Sequence, residues 1–191
     1  IISEADRLRD LVDRMLGPWQ PMQFAPVNLI EVIERVIHLL GGEFHCDLQW
    51  ERDYDPSLPA VQGSKDQLIQ AILNIARNAC QALQQTERAR IVFKTRVVRQ
   101  FTIGSVRHRQ IMHLSITDNG PGIPEDLIDR IFFPMISGRN EGSGLGLSIS
   151  QNIVGQHGGT LQVASRPRNT EFSVYLPFSG SNQPSEAKEL I

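Results

Sequence analysis

Hydrophobic positions along the 191 residues fall into helical and alternating stretches with sharp breaks between them. Ile1, Ala5, Leu8, Val12 and Met15 recur at steps of four and three, the spacing of a coiled-coil or helix-bundle seam. Gly17-Pro18 ends that pattern, and Pro18, Pro21 and Pro26 mark residues 17–26 as a linker. A helix packed on its own domain has the same spacing, but the proline-rich segment after it favours a separate helical element. A second helical pattern starts at Asn28, where Glu31 three residues on suggests a capping box, and it runs to Gly41-Gly42. Residues 47–53 alternate like a strand, and Asp55-Pro56 with Pro59 predicts a turn. Ser64 and Gln67 suggest another capping box, opening a long helix that reaches about Gln84. Ile91–Val98 and Ile111–Thr117 read as neighbouring strands joined by a basic loop around Arg107. Residues 147–157 predict a third helix closed by Gly158-Gly159, and Leu161–Ser165 with Glu171–Leu176 predict a hairpin. The tail from Ser179 is polar, and disorder is expected there. Helices and strands mix without regular βαβ alternation. The expected fold is α+β: a two-layer sandwich whose mostly antiparallel sheet is covered on one face by three helices.

Composition narrows the class. A hydrophobic fraction of 40% suits one domain with a substantial core plus flanking pieces. A formal net charge of -2 gives no basic excess for nucleic acid or an anionic membrane, and neither partner is expected. The longest apolar runs are too short to span a bilayer, and no signal peptide opens the chain. Cys46 and Cys80 lie far apart, which argues against a disulfide framework or a zinc site and for a reducing, cytoplasmic setting. Ile1 and Ile2 begin mid-pattern without a cap, so the chain reads as a fragment of a larger protein.

Three stretches carry candidate chemistry. On the helix from 65 to 84, the apolar face is Leu68, Ile69, Ile72, Leu73, Ala76 and Leu83. Opposite it runs a polar stripe of Gln67, Asn74, Asn78 and Gln81. Asn74 and Asn78 sit one turn apart, where two amide oxygens can reach one magnesium ion or its waters; a solvated helix face has the same look. Asp118-Asn119-Gly120-Pro121-Gly122 follows a strand. A carboxylate there can accept from an exocyclic amine while glycines admit a flat ring, and a plain turn is the alternative. Gly142-Ser143-Gly144-Leu145-Gly146 leads into the helix 147–157, an arrangement that suits a triphosphate, with Arg139 just upstream. The absence of G-K-[ST] excludes a P-loop.

The order of these elements resembles the ATP-binding domain of histidine kinases in the Bergerat-fold superfamily, which also holds DNA gyrase, Hsp90 and MutL. Leu68–Leu83 looks like the N box, Asp118–Gly122 the G1 box, Ile131–Met135 (with Phe132 and Phe133) the F box, and Gly142–Leu147 the G2 box. The resemblance covers about residues 27–178, taken as the catalytic ATP-binding domain. The finer match is to nitrogen-regulation sensor kinases of the NtrB type, through Arg52–Pro59, Phe133–Arg139 and Thr170–Pro177. Asp6–Arg14 likewise resembles the end of that family's dimerisation helices, so residues 1–16 are expected to belong to the phosphoacceptor helix.

The resemblance implies ATP and Mg2+ as cofactors. It implies that Asp118 reads the adenine amine, with Gly120, Gly122, Ile123 and Phe132 around the base. Asn78, helped by Asn74, would hold magnesium. Gly142, Ser143, Gly144, Leu145, Gly146 and Leu147 would wrap the phosphates as part of a lid from about 134 to 146. Arg139 would meet the γ-phosphate, and it shares the catalytic assignment with Asn78. Two departures stand out. Many histidine kinases place a nucleotide-touching Lys/Arg-Tyr pair where this chain has Gln81-Ala82, and many carry an arginine or acidic residue where Pro134 stands. The acceptor would be a histidine elsewhere: none of the five histidines, His38, His45, His108, His113 and His157, lies in the family's His-Glu/Asp-x-x-Asn/Thr-Pro setting. Further implied partners are the dimerisation domain, a second copy in a full-length homodimer, an NtrC-type response regulator and the PII signalling protein. Two other readings stand beside this one: a gyrase- or Hsp90-type ATPase, disfavoured by Asn74 where those proteins carry a glutamate, and a non-catalytic nucleotide-binding module.

Overall fold

The computed structural model describes residues 23–44, 48–136 and 144–178. The Ile1–Met15 seam, most of the expected linker, the lid positions Arg139, Gly142 and Ser143, and the tail from Ser179 lie outside the described residues.

The principal sheet is formed by β2 (Gln49–Asp53), β4 (Arg90–Ile103), β5 (Val106–Asp118), β6 (Thr160–Arg166) and β7 (Asn169–Pro177) in the order β2-β4-β5-β7-β6. β2 runs parallel to β4, and the remaining pairs are antiparallel. A small sheet pairs β1 (Ala25–Val27) with β3 (Val61–Gly63). Ala25 and Pro26, read from the sequence as the end of the linker, therefore belong to a strand.

Three helices cover one face, as the apolar periodicities require. α1 (Leu29–Glu43) buries Leu29, Val32, Ile33, Val36, Ile37 and Leu40, a stripe of period 3.6. α2 (Lys65–Ala82) buries Leu68, Ala71, Ile72, Ile75, Ala76, Ala79 and Cys80. A single helical turn, α3 (Glu125–Ile128), precedes α4 (Gly146–Gln156). Small residues let α4 approach α2 closely: the Ser150 hydroxyl lies 3.0 Å from Ala71 O and 2.9 Å from Gly146 O. Across the sheet, Ile91 and Phe93 on β4, Met112, Leu114 and Ile116 on β5, and Phe172, Val174 and Leu176 on β7 alternate inward and complete the core.

Neither expected capping box forms. Asn28 caps α1 by accepting from Ile30 N–H at 3.0 Å, while Glu31 pairs with Lys65. Ser64 makes no side-chain cap, and the Gln67 side-chain oxygen is buried without a hydrogen bond. The expected basic loop around Arg107 is strand: β4 and β5 pair as far as Ile103 and Val106. The Arg52–Pro59 segment staples elements together. Arg52 and Tyr54 both donate to Glu34 at 2.8 Å, tying β2 to α1 and holding the Glu34 carboxyl below the usual carboxylate range.

Candidate functional site

The helix layer opens over the C-terminal end of β5 into a cleft of about 920 Å³. One wall is α2, through Asn74, Asn78 and Gln81 of its polar stripe, and the other is formed by Pro121–Pro124, Leu127, Ile131 and Ile136 together with Gly144–Leu147 at the start of α4. Asn74, Asn78, Asp118, Gly122, Ile123, Gly144, Leu145, Gly146 and Leu147, all singled out from the sequence, line this one cavity. Residues up to 73 positions apart in the chain thus meet only because α2 and α4 pack side by side.

Asp118 is buried because it continues the inward row of Met112, Leu114 and Ile116 to the last position of β5. A carboxylate at 4% exposure needs compensation, and Gly120 N–H donates to its Oδ1 at 2.9 Å. A Cβ at position 120 would lie 2.7 Å from that oxygen, so a side chain there would push the carboxylate out of this position. Gly120 O accepts from Arg168 N–H at 2.8 Å, and Ile123 N–H donates to Ser165 Oγ at 2.8 Å. The β6–β7 turn therefore braces the segment that follows Asp118.

The opposite end of the cleft is backbone. Gly144 has a positive φ of 64°, and a Cβ there would come within 2.7 Å of the Met135 backbone. Met135 N–H donates to Gly144 O at 3.1 Å, so the two edges of the expected lid meet at this point. Asn74 donates from its side-chain nitrogen to Gly146 O at 3.3 Å and fastens the glycine segment to α2. Asn78, one turn on, faces the same cavity. Among the described residues no cluster of His, Cys, Asp and Glu could hold a metal. The available ligand is an amide oxygen, which suits an ion that keeps most of its waters and binds phosphate oxygens.

Phe132 does not line the cleft; it packs against the core, half-buried, while Ile131 and Ile136 supply the lining from that segment. Thr170 stood in the sequence only as the first residue of a family-like segment, with no place in the site. It lines the cleft, is 4% exposed and is the register partner of Asp118 across β5 and β7. Its hydroxyl lies 2.8 Å from Ser165 Oγ. Arg77 also lines the cleft, and its pattern position gave no sign of this. Gln81 and Ala82 both border the cavity, and a Cβ at Gly120 would lie 3.5 Å from Ala82 Cβ.

Comparison with known proteins gives concordant matches. A sequence profile of the histidine kinase-, DNA gyrase B- and HSP90-like ATPase family matches residues 63–180. The sensory histidine kinase/phosphatase NtrB of Vibrio alginolyticus is 49% identical over 177 residues, covering 93% of this chain. The chain spans about half the length of the curated relatives it matches, 51% in that case. Among solved structures, the mycobacterial sensor histidine kinase MprB superposes with a TM-score of 0.65 at 30% identity, covering 81% of this chain and 97% of its own. The catalytic domain of histidine kinase ThkA superposes at 0.68 with 26% identity, covering 82% and 96%.

Proposed function

Because the chain belongs to the histidine kinase-, DNA gyrase B- and HSP90-like ATPase family, we propose that it is the ATP-binding catalytic domain of an NtrB-type sensor histidine kinase. In this reading it presents the γ-phosphate of ATP to a histidine on a partner domain. The observation that carries the proposal is the polarity of the cleft. A buried acceptor, Asp118, closes one end among apolar side chains, and glycine backbone at a helix N-terminus forms the other.

Adenine fits the first end: its exocyclic amine donates to Asp118 while Ile123, Ile131 and Phe172 cover the ring. The phosphates then reach Gly144–Gly146, where backbone N–H groups and the α4 dipole favour negative charge. Asn78 would hold Mg2+ through its amide oxygen, with Asn74 positioning the glycine segment. Bound magnesium neutralises phosphate charge. In this reading Gly142, Ser143 and Arg139, which lie outside the described residues, would complete the lid, with Arg139 on the γ-phosphate. Phosphoryl transfer depends on positioning and electrostatics, so the domain needs no covalent nucleophile.

His157 supports an acceptor elsewhere. Its ring is buried, with Nδ1 2.7 Å from Ile153 O and Nε2 accepting from Ser64 N–H at 3.0 Å. His113 is stacked on Tyr175 and lies 3.0 Å from Ser173 Oγ. Both imidazoles are thus engaged in contacts within the fold. In the whole protein, the partners of this reading are the dimerisation domain, a second copy, an NtrC-type response regulator and PII, all in the cytoplasm. Among the described residues no helix is long and apolar enough to cross a membrane.

Radiolabelled ATP tests the proposal. We expect little label on the 191-residue chain alone and little phosphate release, with label appearing on a separately supplied domain that bears the acceptor histidine. That transfer will be slow, since a diffusing partner lacks the effective concentration of a tethered one. Label on His38, His45, His108, His113 or His157 would refute an acceptor on a separate domain, and rapid phosphate release by the chain alone would favour the ATPase alternative.

A further inference from the structure

Resting on that nucleotide reading, we propose that Arg77 is a phosphate-binding residue of the cleft, supplying from one helical turn earlier the positive charge that Gln81 does not carry. Arg77 and Gln81 are four residues apart on α2 and share a face. Both border the cavity beside Asn78. Among the described residues that line it, Arg77 is the single cation and Asp118 the single anion.

The two charges sit at different depths. Ala82 lines the cleft beside the turn that follows Asp118, where a Cβ at Gly120 would lie 3.5 Å from Ala82 Cβ, and Asn74 donates to Gly146 O at the other end. At roughly 1.5 Å of rise per residue, Arg77 stands about 4.5 Å along the helix from Asn74 and about 7.5 Å from Ala82. A base on Asp118 therefore directs its phosphates toward the Arg77 level of α2, and a long guanidinium side chain spans the remaining gap.

Arg77 is also held in place. Its Nε donates to Glu43 Oε1 at 3.1 Å and its Nη2 donates to Glu43 Oε2 at 2.9 Å, from the last residue of α1. The side chains of this pair are 35% and 45% exposed, a setting in which an ion pair adds little to stability. What the pair does is aim the guanidinium, engaging one edge of the fork and leaving its other N–H groups for a phosphate oxygen.

The test is calorimetric titration of the 191-residue chain with Mg-ATP and, separately, with adenosine. Arg77→Gln should weaken ATP roughly tenfold, the low end for a charge-assisted hydrogen bond, and the deficit should shrink at high salt. Adenosine affinity should stay within about twofold, since the base end is untouched. Adding Gln81→Lys to Arg77→Gln, which moves the charge one turn along the same face, should restore most of the ATP affinity. Unchanged ATP affinity in Arg77→Gln would overturn the inference, and so would an equal loss for adenosine. A wild-type chain that binds ATP while the variant matches it removes only Arg77; a wild-type chain that binds neither ligand removes the nucleotide reading as well.

Discussion

Asp118 owes its position to strand alternation, and Gly120 N–H donates to its buried carboxylate, so the residue after next bears on how that carboxylate is aimed. Gly120→Ala would place a Cβ 2.7 Å from Asp118 Oδ1 and force the carboxylate to turn. We expect about 1–2 kcal/mol of destabilisation from the close contact. The same change should cost at least roughly tenfold in ATP affinity, because the buried acceptor loses its aim. Thermal unfolding and titration on the same variant separate the two effects, and unchanged ATP affinity would show that the Gly120 turn does not set Asp118. Asn74 and Asn78 stood out in the sequence as two amides one turn apart on a polar stripe, and Asp118 as a carboxylate at a strand end before glycines; all three line the cleft. Thr170 was not legible: threonine is at home in any strand, and only its register opposite Asp118 gives it a place in the site. Arg77 was hidden for a similar reason, since an arginine on a helix face looks like one half of a solvated ion pair, which it also is.

At the scale of elements, His157 joins the end of α4 to the beginning of α2. Its Nε2 accepts from Ser64 N–H, so the ring must be neutral with its proton on Nδ1, facing Ile153 O. Burial lowers its pKa from the ordinary 6.5. Above 6.5 the folded and unfolded chains both carry a neutral ring. Below it the unfolded chain takes up the proton first, and stability falls until the pH drops below the folded-state pKa. His113, also lowered by burial, contributes with the same sign. The unfolding midpoint should therefore decline as pH falls below 6.5, and His157→Gln should lower the midpoint at neutral pH while flattening that decline. An acid slope identical in the variant would mean that this contact is not the pH-sensitive one. The helices were legible from their period-3.6 stripes, and the core strands from alternation. The outer half of the β4–β5 hairpin was not. Its last pair with β7 is Ile111 with Pro177, so residues 106–110 lack that neighbour and their polar sequence reads as a loop. The capping boxes failed because tertiary contacts claimed their members: Glu31 went to Lys65, and Ser64 N–H to His157.

At the scale of the molecule, the α+β sandwich follows from a sheet apolar on one face and three helices that must bury their stripes against it. Among the described residues, that architecture leaves a cleft between α2 and the start of α4 over the end of β5, and nine of the residues chosen from sequence meet there. The order of the boxes along the chain was readable; their convergence needed the packing of α2 against α4 through Ser150 and Ala71. If this cleft is an ATP site with Asp118 at its base end, isothermal titration of the 191-residue chain with Mg-ATP, repeated on Asp118→Asn, will show it. Saturable binding of one ATP per chain is expected. The variant should lose roughly tenfold to a hundredfold in affinity, the worth of one buried hydrogen bond to a charged group. No binding by the wild-type chain, or equal affinity in the two proteins, would contradict that reading.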